Sequence, residues 1–150
     1  MNRAGAYSDE EAAARSAVDA AQHSYSPYSG FRVGAAAVWR LASGEYALTS
    51  GCNVENAFYE AAHAETTALT AGACRGYRDL VAMFVACPDL SADAPIELLT
   101  PCGFCRQWMT EFIPSGGDVH VIIVSGDCGV RARFQLLKDL LPLAFRLKRR

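Results

Sequence analysis

Three short apolar segments, separated by stretches that favour helix, constrain the fold of this chain more than any other feature. They are Phe31–Trp39, Leu80–Cys87 and Val119–Val124. Short apolar segments whose only Lys, Arg, Asp or Glu residue is Arg32 are typical of strands buried in a sheet. The Ser43-Gly44 turn predicts that Tyr46–Gly51 pairs with the first segment as a hairpin. Leu98–Leu99 adds a short fifth segment, so we expect a sheet of about five strands.

Helix-forming stretches lie before, between and after these strands. They are Asp9–Ser24, Ala61–Gly72, Thr100–Phe112 and Leu136–Leu141. The first has Ser8 as its expected N-cap, with Glu11 three residues later, which is a capping-box pattern. A hairpin followed by strands that alternate with helices predicts the α/β class, with a mixed sheet covered by helices on both faces. We expect a single domain over residues 1–150, with residues 1–7 and 146–150 as flexible ends.

Charge and composition exclude several classes of protein. Lys and Arg number 14 and Asp and Glu number 16, for a formal net charge of −2. A general nucleic-acid binder usually presents a basic surface, so we expect no nucleic-acid partner. No apolar run approaches the roughly 20 residues that span a bilayer, and the acidic N-terminal stretch does not resemble a secretory signal. We therefore expect no membrane association and a cytoplasmic location, where cysteines serve metal binding or catalysis more often than disulfides.

Candidate metal ligands concentrate in two segments, His63-Ala-Glu65 and Pro101-Cys-Gly-Phe-Cys105. Two thiolates in a CxxC pair can bind one cation, because a tight turn into a helix brings both sulfurs to the same side. His63 can supply a third ligand, and three protein ligands leave the open fourth position that is typical of catalytic zinc. Glu65 is then placed to move protons as a general acid and base. The other cysteines are expected to pack as small apolar side chains: Cys52, Cys74, Cys87 and Cys128.

Two other interpretations of the CxxC pair remain. Cys102 and Cys105 are either buried core thiols beside a surface imidazole, or a thioredoxin-like redox pair. The redox pair would leave the His63-Ala-Glu65 segment without a role. A His-x-Glu segment followed by Pro-Cys-x-x-Cys is typical of zinc-dependent deaminases, and this combination favours the metal site.

Six segments, taken in order, resemble the cytidine deaminase family from about residue 8 to residue 145. They are Tyr25-Ser-Pro-Tyr-Ser29, Phe31-Arg-Val-Gly-Ala35, Gly51-Cys-Asn-Val-Glu-Asn-Ala57, His63-Ala-Glu65, Pro101-Cys-Gly-Phe-Cys-Arg-Gln107 and Leu140-Leu-Pro-Leu-Ala-Phe145. The resemblance implies a three-layer α/β/α fold and hydrolytic loss of the 4-amino group from a cytosine nucleoside, cytidine or deoxycytidine. It also implies homo-oligomers with sites at subunit contacts. The length resembles the small type, typically a homotetramer, with a dimer as the alternative.

For the metal centre, the resemblance implies that His63, Cys102 and Cys105 bind one zinc ion per chain and that Glu65 is the proton shuttle. Small tetrameric members usually have Cys-Ala-Glu-Arg where this chain has His63-Ala-Glu-Thr66. Three thiolates on Zn²⁺ sum to −1, which an adjacent arginine can offset. Two thiolates and a neutral imidazole sum to zero, so we interpret His63 and Thr66 as one coupled adjustment.

For the substrate, the resemblance implies that Asn53 and Glu55 hydrogen-bond the sugar hydroxyls and that Phe31 packs against the pyrimidine. It places the backbone of Ala64 against the base, and Phe145 in the site of a neighbouring subunit. An amide that donates and accepts, beside a carboxylate that accepts, suits a pair of neighbouring hydroxyls.

Two positions depart further from the family pattern. Glu60 stands where glycine is common, and Phe104 places a bulky ring inside the CxxC pair. Either side chain can reshape a subunit contact or the rim of the pocket. Both weaken the prediction that plain cytidine is the natural substrate.

Three other functions are the alternatives. A blasticidin S deaminase-like enzyme would act on a modified cytosine nucleoside, but that relative lacks the Asn-x-Glu pair that this chain has at Asn53 and Glu55. A nucleic-acid editing deaminase would need a positive groove and stacking aromatics, which the net charge disfavours. A non-catalytic zinc protein would have no need of Glu65. The sequence therefore favours a nucleoside deaminase.

Overall fold

The structure, a computed structural model, describes residues 9–148, and a five-stranded sheet forms its centre. The helices and strands are α1 (Glu10–Gln22), β1 (Gly34–Arg40), β2 (Tyr46–Cys52), β3 (Val54–Glu55), β4 (Ala61–Ala62), α2 (Ala64–Cys74), β5 (Asp79–Ala86), α3 (Gly103–Met109), β6 (His120–Val124) and β7 (Val130–Gln135). The order in the sheet is β2-β1-β5-β6-β7. β5 and β6 are parallel and the other neighbours antiparallel. The predicted mixed sheet of about five strands is confirmed.

Helices cover both faces of the sheet, because successive side chains of a strand point to opposite faces. Ala36 and Val38 of β1 pack with α1 in one core. Ala35, Ala37 and Trp39 pack on the opposite face, in a core that includes residues of α2 and α3. Alanines on both faces of β1 leave room for both helix layers to approach. The predicted three-layer α/β/α fold is confirmed.

The fifth strand is not the predicted one. Leu98–Leu99, expected to be a strand, instead lies at the end of a 3-10 turn over Ile96–Leu98. The fifth strand of the sheet is β7, which lies at its edge. Its two arginines interrupt the apolar pattern, so the sequence does not predict a strand there. Arg133 pairs with Glu10 at 2.5 Å, and Arg131 donates to main-chain carbonyls of the 92–94 loop. Charged side chains protect such an edge from pairing with other chains.

A short hairpin of β3 and β4 was also not predicted. It takes up Ala61 and Ala62, so α2 begins at Ala64, after the predicted start. Similarly, α3 begins at Gly103, since the turn through Pro101 precedes it. The last predicted helix is a single π-helical turn over Leu136–Leu140.

The ends of the chain fall partly outside residues 9–148. The predicted N-cap Ser8 is among the residues outside this range, and Asp9 caps α1 by accepting a hydrogen bond from Ala12 N at 2.8 Å. Of the ends predicted to be flexible, residues 1–7 and 149–150 also lie outside the described range. Within residues 9–148, no helix combines the length and the apolar character needed to cross a membrane.

Candidate active site

Three potential metal ligands converge where the N-termini of α2 and α3 meet. His63 directly precedes α2, Cys102 directly precedes α3, and Cys105 lies in the first turn of α3. The Nδ1 atom of His63 lies 3.3 Å from the Sγ atom of Cys102 and 3.2 Å from that of Cys105. The three ligand atoms all lie within 4.8 Å of one another, so one ion can bind all of them.

The chemistry of these donors fits zinc. Zinc binds imidazole nitrogen and thiolate sulfur tetrahedrally, and three such ligands leave one position for water. Burial raises the pKa of the Cys105 thiol, and the neighbouring Glu65 and Cys102 raise it further. A divalent cation between these groups has the opposite effect, because it stabilises the thiolate. The cluster is therefore a site for one zinc ion, as predicted.

The turn that carries His63 is fixed from α2. The hydroxyl oxygens of Thr66 and Thr67 donate hydrogen bonds to the His63 carbonyl oxygen at 3.0 and 2.8 Å. Thr66 stands where the resemblance leads us to expect arginine. Its short side chain is buried and bonds to the turn that carries His63. These two bonds fix the backbone of His63.

The turn that carries the cysteines is held by Arg106, which was not predicted as a site residue. Its guanidinium donates from Nε to the Pro101 carbonyl oxygen at 2.7 Å and from Nη1 to the Leu140 carbonyl oxygen at 3.0 Å. Arg106 thus links the start of α3 to the C-terminal segment. Its position directly after the second cysteine of the CxxC pair is a signal that could have indicated this role.

Glu65 is buried in the first turn of α2, with 5% of its surface exposed. Burial raises the pKa of its carboxyl group, because poor solvation disfavours the charged form. Cys105 and His63 partly oppose this rise. Because burial disfavours the charged form, this carboxyl group holds a transferred proton more readily than an exposed glutamate would, which is what the predicted proton shuttle requires.

A cavity of about 360 Å³ lies beside the ligand cluster. Its volume is within the range of about 300–1,000 Å³ that small-molecule sites occupy. Seven of the predicted site residues line it: Phe31, Asn53, Glu55, His63, Ala64, Glu65 and Cys102. Most of the remaining wall is apolar and was not predicted: Ser29, Val33, Ala61, Val85, Cys87, Leu98, Leu99 and Thr100. The fold thus assembles one pocket from segments that are distant in sequence.

The isolated cysteines differ in their surroundings. Cys87 lines the cavity as a buried side chain, and burial raises its pKa to about 12, so its thiol is neutral. Cys52 and Cys128 are half-buried. Cys74 is exposed, and the expectation that it packs in the core is wrong for this residue, since it lies at the solvent-facing end of α2.

The Asn53 side chain is buried and joins three parts of the chain. Its Oδ1 atom accepts hydrogen bonds from the Ser24 hydroxyl at 2.6 Å and from Val33 N at 2.8 Å. Its Nδ2 atom donates to the Phe31 carbonyl oxygen at 2.7 Å. An amide has two N–H donors. Within residues 9–148, the second N–H of Asn53 has no protein acceptor, so it can donate to a ligand. Asn53 therefore builds the cavity wall as well as facing it.

Glu55 holds the loop that precedes Phe31. Its Oε2 atom accepts hydrogen bonds from Tyr28 N at 2.9 Å and Ser29 N at 3.1 Å, and the Ser29 hydroxyl donates to Oε1. The bond from the Ser29 hydroxyl is the main cause that lowers the pKa of Glu55. The side chain is thus a carboxylate at neutral pH, available as an acceptor at the cavity wall.

The two predicted aromatic contacts lie in different places. Phe31 lines the cavity, and the adjacent Arg32 donates from Nε to Asp89 Oδ2 at 2.8 Å, which ties this loop to the one after β5. Phe145 lies outside the cavity with 67% of its surface exposed, and its carbonyl oxygen accepts from Gln107 Nε2 at 2.7 Å. The single chain therefore does not bring Phe145 into its own cavity.

Glu60 and Phe104, which depart further from the family pattern, both lie outside the lining of this cavity. Glu60 is exposed in the turn between β3 and β4, where it lines a separate cavity of about 300 Å³ that also includes Glu55. Phe104 packs its ring against His63, with ring centroids 5.5 Å apart. Neither side chain lines the cavity beside the ligand cluster.

Comparison with known proteins agrees with a deaminase zinc site at His63, Cys102 and Cys105. Residues 7–120 match the model of the cytidine and deoxycytidylate deaminase zinc-binding region. A cytidine deaminase of Halalkalibacterium halodurans is 36% identical over 138 residues, which cover 91% of this chain and 94% of the relative. A cytidine deaminase of Mycobacterium tuberculosis is 40% identical over 132 residues, covering 87% of this chain and 85% of the relative.

A solved structure shows the same fold. The crystal structure of cytidine deaminase from Burkholderia pseudomallei superposes with a TM-score of 0.72 and is 36% identical in sequence. The match covers 89% of this chain and 97% of that one. Together with the His63, Cys102 and Cys105 cluster, these similarities establish that the chain belongs to the cytidine and deoxycytidylate deaminase family.

Proposed function

We propose that this chain catalyses the hydrolytic deamination of a cytosine nucleoside, cytidine or deoxycytidine, to the uracil nucleoside and ammonia. The observation that carries the proposal is a buried carboxyl group, Glu65, beside the ligand cluster of His63, Cys102 and Cys105 on the wall of a small-molecule cavity. The family and relatives named above support the reaction type.

The residues of this chain divide the chemistry between them. His63, Cys102 and Cys105 would hold the zinc ion, which when bound supplies a Lewis acid that activates water at neutral pH. Glu65 accepts a proton from the attacking water and delivers it to N3 of the cytosine ring, so that C4 becomes more electrophilic. Its carboxylate then takes the proton of the new C4 hydroxyl and passes it to the 4-amino nitrogen, so that the C4–N bond breaks, ammonia leaves and C4 becomes a carbonyl. Burial of Glu65 raises the pKa of its carboxyl group, which makes the carboxylate a stronger base toward the attacking water.

The residues around the sugar favour a nucleoside over a nucleotide. Glu55 and Glu65 line the cavity, and within the described residues no lysine or arginine does so. A 5′-phosphate would meet carboxylates without a compensating cation, which is unfavourable. Asn53 and Glu55 instead offer one donor and a charged acceptor to the sugar hydroxyls, and Phe31 and the Ala64 backbone would contact the base.

We further propose a homo-oligomer, most consistent with a tetramer, in which Phe145 completes the cavity of a neighbouring subunit. The exposed position of Phe145 outside its own cavity supports this arrangement. We place the enzyme in the cytoplasm, where the thiols of Cys102 and Cys105 stay reduced, and in pyrimidine salvage. We also keep the prediction of one domain over residues 1–150.

The test is the loss of cytosine absorbance when zinc-loaded protein is mixed with cytidine or deoxycytidine, together with ammonia release. Free cytosine and CMP are the controls for recognition of the sugar and for the nucleotide alternative. Replacement of Glu65 by glutamine should keep the zinc but lower kcat by about 10²–10⁴-fold, because general acid–base catalysis contributes about that much.

Turnover by Glu65→Gln at the wild-type rate would show that the proton shuttle is assigned wrongly. A wild-type protein that holds one zinc per chain yet leaves cytidine and deoxycytidine unchanged would contradict the proposed substrate. In that case modified cytosine nucleosides would be tested next.

A further inference from the structure

A histidine that binds a metal usually has its second ring nitrogen held by a hydrogen bond, which fixes the orientation of the ring. In this chain Nδ1 of His63 faces the two sulfurs. Within residues 9–148, no protein group forms a hydrogen bond with Nε2 of His63. The hydroxyls of Thr66 and Thr67 fix the His63 backbone through its carbonyl oxygen but do not touch the ring. The orientation of the imidazole ring therefore depends on contacts other than protein hydrogen bonds to Nε2.

The ring of Phe104 contacts that imidazole. The two ring centroids are 5.5 Å apart and the planes are tilted by 59°. This separation is within the range of about 4.5–7 Å at which aromatic rings attract each other. Phe104 lies between the two cysteine ligands, so the backbone that positions its ring is the same turn that positions Cys102 and Cys105.

Phe104 also contacts Trp108, one helical turn later. Their centroids are 6.2 Å apart and the planes are tilted by 58°. Residues at positions i and i+4 of a helix lie on one face and can pack in this way. The ring of Phe104 thus contacts both His63, which directly precedes α2, and Trp108, near the end of α3.

Burial does not explain why a phenylalanine is present at this position. Phe104 is 57% exposed, it belongs to neither hydrophobic core, and it does not line the cavity. Its contacts with His63 and Trp108 are the ring contacts that the structure gives it. The contact with the His63 ring therefore links Phe104 to the ligand cluster and not to either core.

We propose that Phe104 is a positioning residue, which holds the His63 imidazole in its metal-binding orientation by ring packing instead of a hydrogen bond. It acts on the zinc site through His63 and does not touch the substrate. The inference concerns the zinc site and is independent of which nucleoside the enzyme accepts. It also gives a role to the bulky residue inside the CxxC pair, which the family pattern leaves unexplained.

The experiment measures zinc release from the holoenzyme into an excess of the chromogenic chelator 4-(2-pyridylazo)resorcinol, without substrate. The variants are Phe104→Ala, Phe104→Leu and Phe104→Tyr. Loss of an outer-shell partner typically weakens metal binding by about 10–100-fold, so we expect Phe104→Ala to release zinc at least about tenfold faster. Phe104→Tyr keeps the planar ring and should stay near wild type, while Phe104→Leu should fall between them.

Two further readouts separate ring orientation from general loosening. The visible spectrum of cobalt-substituted protein reports ligand geometry, and its bands should shift in Phe104→Ala but not in Phe104→Tyr. Activity should show a lower kcat with little change in KM, because Phe104 does not line the cavity. Tyr46→Ala, which removes an aromatic ring from the edge strand β2, is the matched control and should release zinc at the wild-type rate.

Wild-type zinc release and an unchanged cobalt spectrum in Phe104→Ala would overturn the proposal. So would equal acceleration in Phe104→Ala and Phe104→Tyr, or in Phe104→Ala and the Tyr46→Ala control. If Phe104→Ala does not fold, Phe104→Leu decides, since wild-type release by that variant would also overturn it. If the wild-type protein does not deaminate cytidine or deoxycytidine but the variants release zinc at the expected relative rates, the proposed substrate is wrong and the role of Phe104 is supported.

Discussion

Thr66 occupies a buried position next to the ligand turn, where small family members carry an arginine. Its hydroxyl donates to the His63 carbonyl oxygen at 3.0 Å. With one imidazole and two thiolates on Zn²⁺, the formal charge of the centre is zero, so no cation is needed beside it. A guanidinium placed there would add a positive charge beside a centre that is already neutral, and would weaken the donation of electrons from the sulfurs to the zinc.

We therefore expect Thr66→Arg to lower kcat/KM by about tenfold, the smaller end of the effect of outer-shell changes at metal sites. Thr66→Met is the matched control, since it adds comparable bulk without charge and separates crowding from electrostatics. The measurement is kcat/KM for both variants at equal zinc content. Equal or higher kcat/KM in Thr66→Arg would sink the coupled-adjustment hypothesis, and an equal loss in Thr66→Met would attribute the effect to size.

Single residues also show what the sequence can and cannot predict about the site. The four residues His63, Glu65, Cys102 and Cys105 are predictable, because metal ligation and proton transfer require particular side chains at particular spacings. The internal bonds of Asn53 are not, since its partners Ser24, Phe31 and Val33 come from segments that only the tertiary fold brings together. Cys87 likewise enters the cavity wall only because β5 ends there.

At the scale of elements, the position of α2 depends on its close approach to β2. A Cβ atom added at Gly51 of β2 would lie 2.5 Å from Ala68 N and 2.8 Å from the Ala64 carbonyl oxygen, both in α2. Contacts this short with backbone atoms require the helix to move. Because His63 and Glu65 lie at the start of α2, any such displacement reaches the site directly.

Gly51→Ala should lower the free energy of unfolding by about 3 kcal/mol, as overpacking does, and Tm by about 10 °C for a chain of this size. It should also lower kcat/KM. The matched control is Gly126→Ala, where the nearest atom is 3.4 Å away, an ordinary contact, and the change should stay within about 0.5 kcal/mol. Thermal denaturation of both variants provides the comparison. A Gly51→Ala protein as stable as the control would show that the helix accommodates the methyl group.

The elements that sequence patterns predict well are those with continuous apolar runs. β1, β5 and β6 are buried on both faces, so nearly every position in them is apolar and the sequence predicts a buried strand. β7 is different, because an edge strand exposes one side and its arginines pair with α1 and with the 92–94 loop. β3 and β4 have two residues each, which is too short for any periodic pattern.

At the scale of the whole molecule, the proposed oligomer makes each site depend on two chains. Phe145 would complete the cavity of a neighbour, while Glu65 serves the cavity of its own chain. Two variants that are each impaired should then restore some sites when mixed, because one chain supplies what the other lacks. This dependence follows from the closed symmetry of homo-oligomers, in which every copy gives and receives the same contact.

Phe145→Ala is expected to lower kcat/KM about tenfold or more, through the loss of apolar contact with the substrate. Glu65→Gln and Phe145→Ala chains co-refolded in equal amounts should recover activity at about a quarter of the sites, those with Glu65 and the borrowed Phe145 both intact. Each variant refolded alone is the control. A mixture no more active than the average of the two separate variants would contradict the shared site, as would a fully active Phe145→Ala.

The ligand cluster has a consequence for folding. Its nitrogen and sulfur atoms belong to residues 39 and 42 positions apart, and the segment between them contains α2 and the central strand β5. A metal that joins these positions closes a loop of about 40 residues, much as a disulfide would, and a loop of that length is worth about 4 kcal/mol in the chain-entropy account. The zinc ion thus serves as a detachable cross-link between the start of α2 and the start of α3, across a loop that contains the central strand, and the chain is easiest to unfold when the metal is removed.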